Sequence, residues 1–451
     1  MCENFGKKET EPRKTLIFAR YFVRTAQRPN NSLLVYNTEE MKIQRLIVAI
    51  AAMAVVMGAQ AQGSTTSPYS RVGYGLLSDN ASGIQRSMGG VGYAMQNGRV
   101  INAMNPASYS QVDSLTFMWD VGVGLTNLWS QEAAKTGYNF GGGLDYLTGH
   151  FRITKRLGGS FGLIPFSSVG YTFGNKLDNG EEYRGGSGGL AQLYVGAGYE
   201  LFKGLSLGAN VSYMFGTTTN STSVTDESSA VFNRIMEVRD WNIQVGLQYA
   251  QRIGENDRLV IGATYQPNKS LHGHTWGTAY DLQDKDIDTI GYTSLKGKYE
   301  LPHSIGVGVS YEWNHRLLGE VDFTYQKWAD AKYAPLQGFE EGGMRFDNRW
   351  KAAAGLQYTP NRRGSYVGAM MFRVGGFYNH DYMNIRGSNV RDYGASIGVG
   401  LPVPNGKTTI NIGLEWKHRY SAPVSMIKEN YLNITIGVNV NEMWFWKNKI
   451  R

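Results

Sequence analysis

Trp241-Asn242-Ile243-Gln244-Val245-Gly246-Leu247-Gln248-Tyr249 alternates without a break between large apolar and polar or small residues. Successive side chains of a β-strand point to opposite faces, so this stretch has one apolar face and one polar face. The pattern recurs along the chain. Ile305, Val307, Val309, Tyr311 and Trp313 alternate with Gly306, Gly308, Ser310 and Glu312. Ile434, Ile436, Val438 and Val440 alternate with Thr435, Gly437, Asn439 and Asn441. Candidate strands lie at 115–128, 140–154, 158–173, 188–202, 205–215, 239–252, 258–266, 293–313, 316–328, 347–358, 366–378, 391–401, 408–418 and 429–441. That makes about 14 strands, and an even number is usual for a bacterial transmembrane barrel.

Three further features favour a membrane barrel over a soluble sandwich. Short connections (Lys203-Gly204, Asn314-His315 and Pro402 to Lys407) alternate with the long polar segments 216–238, 267–292 and 329–346. Short periplasmic turns opposite long outer loops are the barrel arrangement. Trp129, Trp241, Trp313, Trp328, Trp350 and Trp416 fall at strand ends, where indoles favour the headgroup level. The length available for the barrel suits 14 strands, whereas a 22-stranded plugged transporter needs considerably more chain.

The N-terminal region carries an export signal. Lys42 and Arg45 precede the apolar run Leu46 to Met57, and Ala59-Gln60-Ala61 is an A-x-A cleavage site. The run is too short to span a bilayer. Residues 1–40 therefore read as an upstream extension with Met41 the true initiator, and 41–61 as a cleaved signal peptide. Cys2 is the only cysteine, so the exported chain has no disulfide or thiol nucleophile. The formal charge is +8 and the mean hydropathy −0.34. No cluster of Lys and Arg interleaved with aromatics suggests nucleic acid as a partner.

Between the signal and the first strand lies Ser82-Gly83-Ile84-Gln85-Arg86-Ser87-Met88-Gly89-Gly90-Val91-Gly92-Tyr93-Ala94, continuing to Asn105-Pro106-Ala107-Ser108-Tyr109. This stretch resembles the N-terminal hatch of FadL-type outer-membrane transporters of long-chain fatty acids and other hydrophobic compounds. The opening Ser67-Pro68-Tyr69-Ser70-Arg71-Val72-Gly73-Tyr74-Gly75 also resembles FadL-like envelope proteins. The resemblance implies an all-β fold: a transmembrane antiparallel up-and-down barrel of about 14 strands at 114–451, with a lumenal hatch at 62–113. It implies an outer-membrane location, a hydrophobic small-molecule ligand, and surrounding lipid and the barrel-assembly machinery as partners. It also implies a third strand that kinks inward to open the wall.

The hatch residues expected to meet a ligand are Met88, Tyr93, Met95, Met104, Asn105, Pro106 and Ala107. The methionines suit either an adaptable ligand surface or plain packing against the wall. In the third strand, alternation fails at Leu163-Ile164-Pro165-Phe166-Ser167-Ser168. Proline cannot donate to a ladder and marks edges or bulges. Pro165 therefore marks either a lateral gate formed by these six residues or a rim where pairing ends.

No H-E-x-x-H, G-x-S-x-G or P-loop pattern occurs. No catalytic residue, metal site or cofactor is assigned, and an enzyme is not expected. His272-x-His274 reads as a solvated loop. Glu200, Glu312, Glu320, Asp322 and Glu415 fall on polar strand faces, placed to pair with the hatch or with cations such as Arg373. The C-terminal run Trp444-Phe445-Trp446 is followed by a basic tail rather than ending the chain on an aromatic.

The leading expectation is passive transport of long-chain fatty acids or other hydrophobic small molecules. The alternative is a FadL-shaped scaffold barrel partnering a secretion or surface-attachment complex, with an envelope protein partner and no small-molecule transport.

Overall fold

The computed structural model describes residues 67–443, apart from 115, 178–179, 226–229, 282–286, 335, 337–342, 362–363 and 405–407. The upstream extension, the signal segment and the Trp444-Phe445-Trp446 run lie outside the described residues. Fourteen antiparallel strands form a closed barrel. They are β1 (Thr116–Glu132), β2 (Lys135–Arg152), β3 (Leu157–Leu177), β4 (Gly180–Phe202), β5 (Leu205–Thr225), β6 (Ala230–Ile253) and β7 (Asp257–Gln266). The second half is β8 (Ser304–Trp313), β9 (Leu317–Gln326), β10 (Arg349–Tyr358), β11 (Met371–Ile385), β12 (Ser388–Pro402), β13 (Thr409–Ala422) and β14 (Ile427–Met443). Closure is made by β1 and β14, paired from Thr116↔Met443 to Glu132↔Ile427. Closure matters because a membrane offers no water to satisfy an open sheet edge.

The alternation read from the sequence sets which face is which. Trp241, Ile243, Val245, Leu247 and Tyr249 are exposed on the outside, while Asn242 and Gln248 are buried inside. The tight turns have the backbone that their residues allow. Gly204 has φ +91, and Asn314 and His315 have φ of 50 and 53. Asn and His are among the residues that tolerate this left-handed region, which hairpin turns require.

Several segments differ from the sequence expectation. Much of 216–238 is not loop: β5 and β6 stay paired out to Val224↔Ala230. Inside 267–292, Gly273–Asp281 adds to the outer end of β6 and pairs with Ile287–Ser294. In Thr217 to Thr225, Thr, Ser and Asn occupy both strand faces, so no apolar period betrays that strand. Strand eight begins at Ser304 rather than 293, and Pro302 precedes it. Trp328 is not an interface indole. It starts a short 3-10 turn and is buried at 1% exposure.

Residues 67–114 lie against the inner wall. Two large apolar clusters result. One joins Tyr74 of the N-terminal segment to Trp328, Tyr382, Tyr299 and Leu301. Trp328 stacks on Tyr382 at 4.6 Å between ring centroids and meets Phe346 edge-on at 5.7 Å. The other joins Ala103 and Tyr109 to Tyr146, Ile164 and Tyr194.

Candidate functional site

Among the described residues, pairing around the wall breaks between β2 and β3. These strands pair from Arg152↔Gly158 only as far as Leu147↔Leu163. Pro165 stands two residues beyond that last pair, and Phe166 is bulged out of the β3–β4 register. A proline and a bulge are the devices that end pairing and bend a strand. Above the break the N-terminal segment takes over the edge of β3. Leu76 and Leu77 pair with Ser168 and Ser167. Ser78 N–H donates to the Phe166 carbonyl at 2.9 Å and Ser67 N–H to the Gly170 carbonyl at 2.8 Å.

Behind the break is a cavity of about 250 Å³, bordered at the wall by Leu144, Asp145, Pro165 and Ser168. Its interior side is ionic. Asp79 receives Lys351 Nζ at 2.5 Å and Arg349 Nη2 at 3.1 Å. Arg86 Nη1 meets Asp145 at 2.8 Å, and Arg419 Nη2 meets Asp392 at 3.0 Å. Burial opposes ionisation of Asp79, but Lys351 and Arg349 outweigh it and hold the carboxyl well below the usual carboxylate range. A smaller cavity of about 90 Å³ is bordered by Tyr93, Met104, Phe166, Gln192 and Gln244, among others.

The N-terminal segment is bonded to strands around the barrel. Asp322 on β9 accepts from Gly92 N–H at 2.6 Å and Tyr93 N–H at 3.0 Å, and Glu320 accepts from Ala94 N–H at 2.8 Å. Gln248 on β6 donates to the Tyr93 carbonyl at 3.0 Å, and Ser310 on β8 to the Ala94 carbonyl at 2.9 Å. Gly89 N–H reaches Ser396 on β12, and Ser67 Oγ donates to Glu429 on β14. Tyr382 on β11 donates to the Gly75 carbonyl at 2.7 Å.

Asn105-Pro106-Ala107 opens a 3-10 turn in which the Asn105 side chain accepts from Ala107 N–H at 3.1 Å. The Asn105 amide donates to the Tyr93 carbonyl at 2.7 Å and to the Leu247 carbonyl of β6 at 3.2 Å. Its seat is cut from three wall glycines. A Cβ on Gly208 would overlap Pro106, one on Gly198 would press on the Pro106 carbonyl, and one on Gly246 would overlap the Asn105 amide oxygen. This close backbone approach is what glycine permits.

The candidate ligand residues therefore separate. Met88 and Met95 are buried against Val91 and Ala353, and Asn105, Pro106 and Ala107 are buried in their seat. Tyr93 and Met104 border the smaller of the two cavities described. Of the gate candidates, Pro165 and Ser168 border the larger cavity and Phe166 the smaller. Ile164 is in the apolar core, Ser167 is buried, and Leu163 makes the last β2–β3 pair. Sequence reasoning singled out neither the Asp79 cluster nor Trp328's inner position. Isolated polar residues on inward strand faces have no local motif, and only a three-dimensional placement brings them together. No group of His, Cys, Asp and Glu able to hold a metal occurs among the described residues.

The closed 14-stranded antiparallel barrel has the FadL-type fold. Solved structures agree on the fold. A Pseudomonas aeruginosa FadL homologue superposes with a TM-score of 0.59 at 11% identity, over 82% of this chain and 99% of that one. The Ralstonia pickettii toluene transporter TbuX gives 0.56 at 15%, over 80% and 98%. The P. putida toluene transporter TodX gives 0.55 at 14%, over 82% and 100%. No curated protein matches the sequence. The family is given by the sequence itself: residues 42–451 match the BamG family, and the chain belongs to it.

Proposed function

We propose that this protein is a plugged, non-conducting outer-membrane barrel that acts as a structural partner in a multi-protein envelope assembly. The observation that carries the reading is the bonding of the N-terminal segment to strands all around the wall; the two cavities described beside it have mixed linings that include the Asp79, Arg349 and Lys351 charges. Sites for hydrophobic ligands are concave and mostly apolar. The driving force for such a ligand is burial of apolar surface, about 25 cal/mol per Å². A cavity lined by paired Asp, Arg and Lys offers little of that surface and costs the ligand's passage the desolvation of those charges. The apolar interior is occupied by the protein's own aromatics around Trp328. Withdrawing the segment would break many buried hydrogen bonds, each bond to a charged group contributing about 1.5–3 kcal/mol.

The second reading is passive transport of hydrophobic small molecules, fatty acids among them, with lateral exit between β2 and β3. The pairing break at Leu147↔Leu163 favours it, as does the transport named for the toluene transporters of the same fold. Fold alone does not decide between these functions.

Extraction of the tagged full chain in mild detergent, followed by native mass spectrometry, separates the two. A stoichiometric protein complex is expected. A lone barrel carrying hydrophobic small molecules would instead support transport.

A further inference from the structure

We propose that β2 offers its unpaired edge, from Tyr138 to Tyr146, to an extended β-strand of a partner polypeptide that inserts at the break in the wall. The inference rests on the structural-partner reading and names where and how the partner binds.

The edge is defined by what it lacks. On one side β2 pairs with β1 as far as Glu132↔Lys135. On the other side, no strand of the described residues pairs with it beyond Leu147↔Leu163. Among the described residues, no backbone hydrogen bond covers that second edge between Tyr138 and Tyr146. Membrane depth makes this costly. In register with β2, Trp119 of β1 stands opposite Gly149 and Trp129 opposite Tyr138. Between the two indoles β1 carries Val121, Val123 and Leu125. The bare edge therefore runs along the apolar band, where no water satisfies an open backbone group. Alternate residues of an antiparallel edge turn both N–H and C=O outward, so the nine residues present about four such pairs.

The chain already answers the same problem on the opposite lip. There Leu76 and Leu77 add to β3 as an antiparallel strand, flanked by the Ser67 and Ser78 hydrogen bonds. Strand addition is thus how this wall satisfies a free edge on the β3 lip, and among the described residues the β2 lip has no such strand. Gly141-Gly142-Gly143 lies in the middle of the bare edge, and glycine within a strand marks a place where another backbone comes close. Tyr138 and Phe140 are exposed at 57% and 62%, and give an incoming strand an apolar neighbour on the lipid side. On the inner side it would meet the Arg86–Asp145 pair. The occupant is therefore an extended segment, apolar on one face and polar or small on the other. A hydrocarbon ligand has no donors or acceptors and would leave the edge unsatisfied.

Photo-reactive residues placed singly at Tyr138, Phe140 and Leu144 of the full chain, in cells, test this. Ile397, which faces outward on β12, is the control. Heat-modifiable gel mobility establishes that each variant assembles its barrel. The expected result is adducts to one envelope protein, at least tenfold above the Ile397 control. The attachment points should move steadily along a single partner segment as the probe moves along β2. Adducts only to lipid, to residues of this chain preceding Ser67, to a second copy of this chain, or to scattered partner positions would overturn the proposal. If native extraction yields a complex and the β2 probes stay silent, the strand-addition proposal falls and the structural-partner reading stands. If no complex is found, that reading itself falls.

Discussion

Asp322→Ala should release the central part of the N-terminal segment without unmaking the barrel. Asp322 Oδ2 holds two buried amides, Gly92 N–H at 2.6 Å and Tyr93 N–H at 3.0 Å. Its other oxygen has no hydrogen-bond partner, so the hydrogen bonds lost are those two. A hydrogen bond to a charged group contributes about 1.5–3 kcal/mol, which gives about 3–6 kcal/mol of local destabilisation. At 1.4 kcal/mol per factor of ten, the opened population should rise about 10²- to 10⁴-fold. Residue 95 reports on this, because Met95 is buried beside the anchored turn. In a Met95→Cys background lacking Cys2, thiol labelling in the native membrane should be slow. Adding Asp322→Ala should accelerate it by at least about a hundredfold, while heat-modifiable mobility is kept. Acceleration of less than threefold would refute the claim that wall carboxylates hold the segment in place.

Two further outcomes follow from the same geometry. Trp328→Ala removes a ring stacked on Tyr382 and bonded through Nε1 to Gln326 at 2.8 Å. It should cost about 3–5 kcal/mol, seen as a lowered thermal unfolding midpoint, yet leave permeability to small hydrophilic antibiotics unchanged, because Ser396, Asp322 and Glu320 also bond the N-terminal segment to the wall. Asp79 has a folded-state pKa depressed below its ordinary 3.8 by Lys351 and Arg349 against the opposing effect of burial. Its contribution is therefore complete above about pH 4 and lost only as pH falls through the depressed value. The difference in unfolding midpoint between the wild type and Asp79→Asn should stay constant from pH 7 to about pH 4 and shrink below; a difference that already shrinks between pH 7 and 5 would contradict the ion cluster.

Much of the barrel was legible because lipid on one side and a polar lumen on the other impose a two-residue period. Trp241 to Tyr249 and Ser304 to Trp313 obey it and fold as expected. Thr217 to Thr225 does not, since above the membrane neither face need be apolar, and there the strands were invisible. The Asn105-Pro106-Ala107 turn could be found, but not its seat, because Gly198, Gly208 and Gly246 come from three different strands. On the β3 side, the failed alternation around Pro165 lies two residues beyond the last β2–β3 pair. The β2 side carried its own signal in Gly141-Gly142-Gly143, whose meaning needed the missing partner strand to be seen. Glu320 and Asp322 were legible as lumenal carboxylates that pair with the N-terminal segment, since their strand alternates cleanly. Asp79, Arg349 and Lys351 were not, because a cluster assembled across 272 residues of separation has no local pattern.

The central claim is that the segment inside the barrel stays in place while the protein works. Ala94 and Ser310 are neighbours, joined by a hydrogen bond from Ser310 Oγ to the Ala94 carbonyl at 2.9 Å, and an Ala94→Cys with Ser310→Cys pair whose cross-link is verified on non-reducing gels would staple segment to wall. Cells lacking the gene should be complemented for envelope integrity equally well by the oxidised and the reduced protein. Complementation that disappears on oxidation and returns with reductant would contradict the account and make movement of the plug, and with it transport, the function.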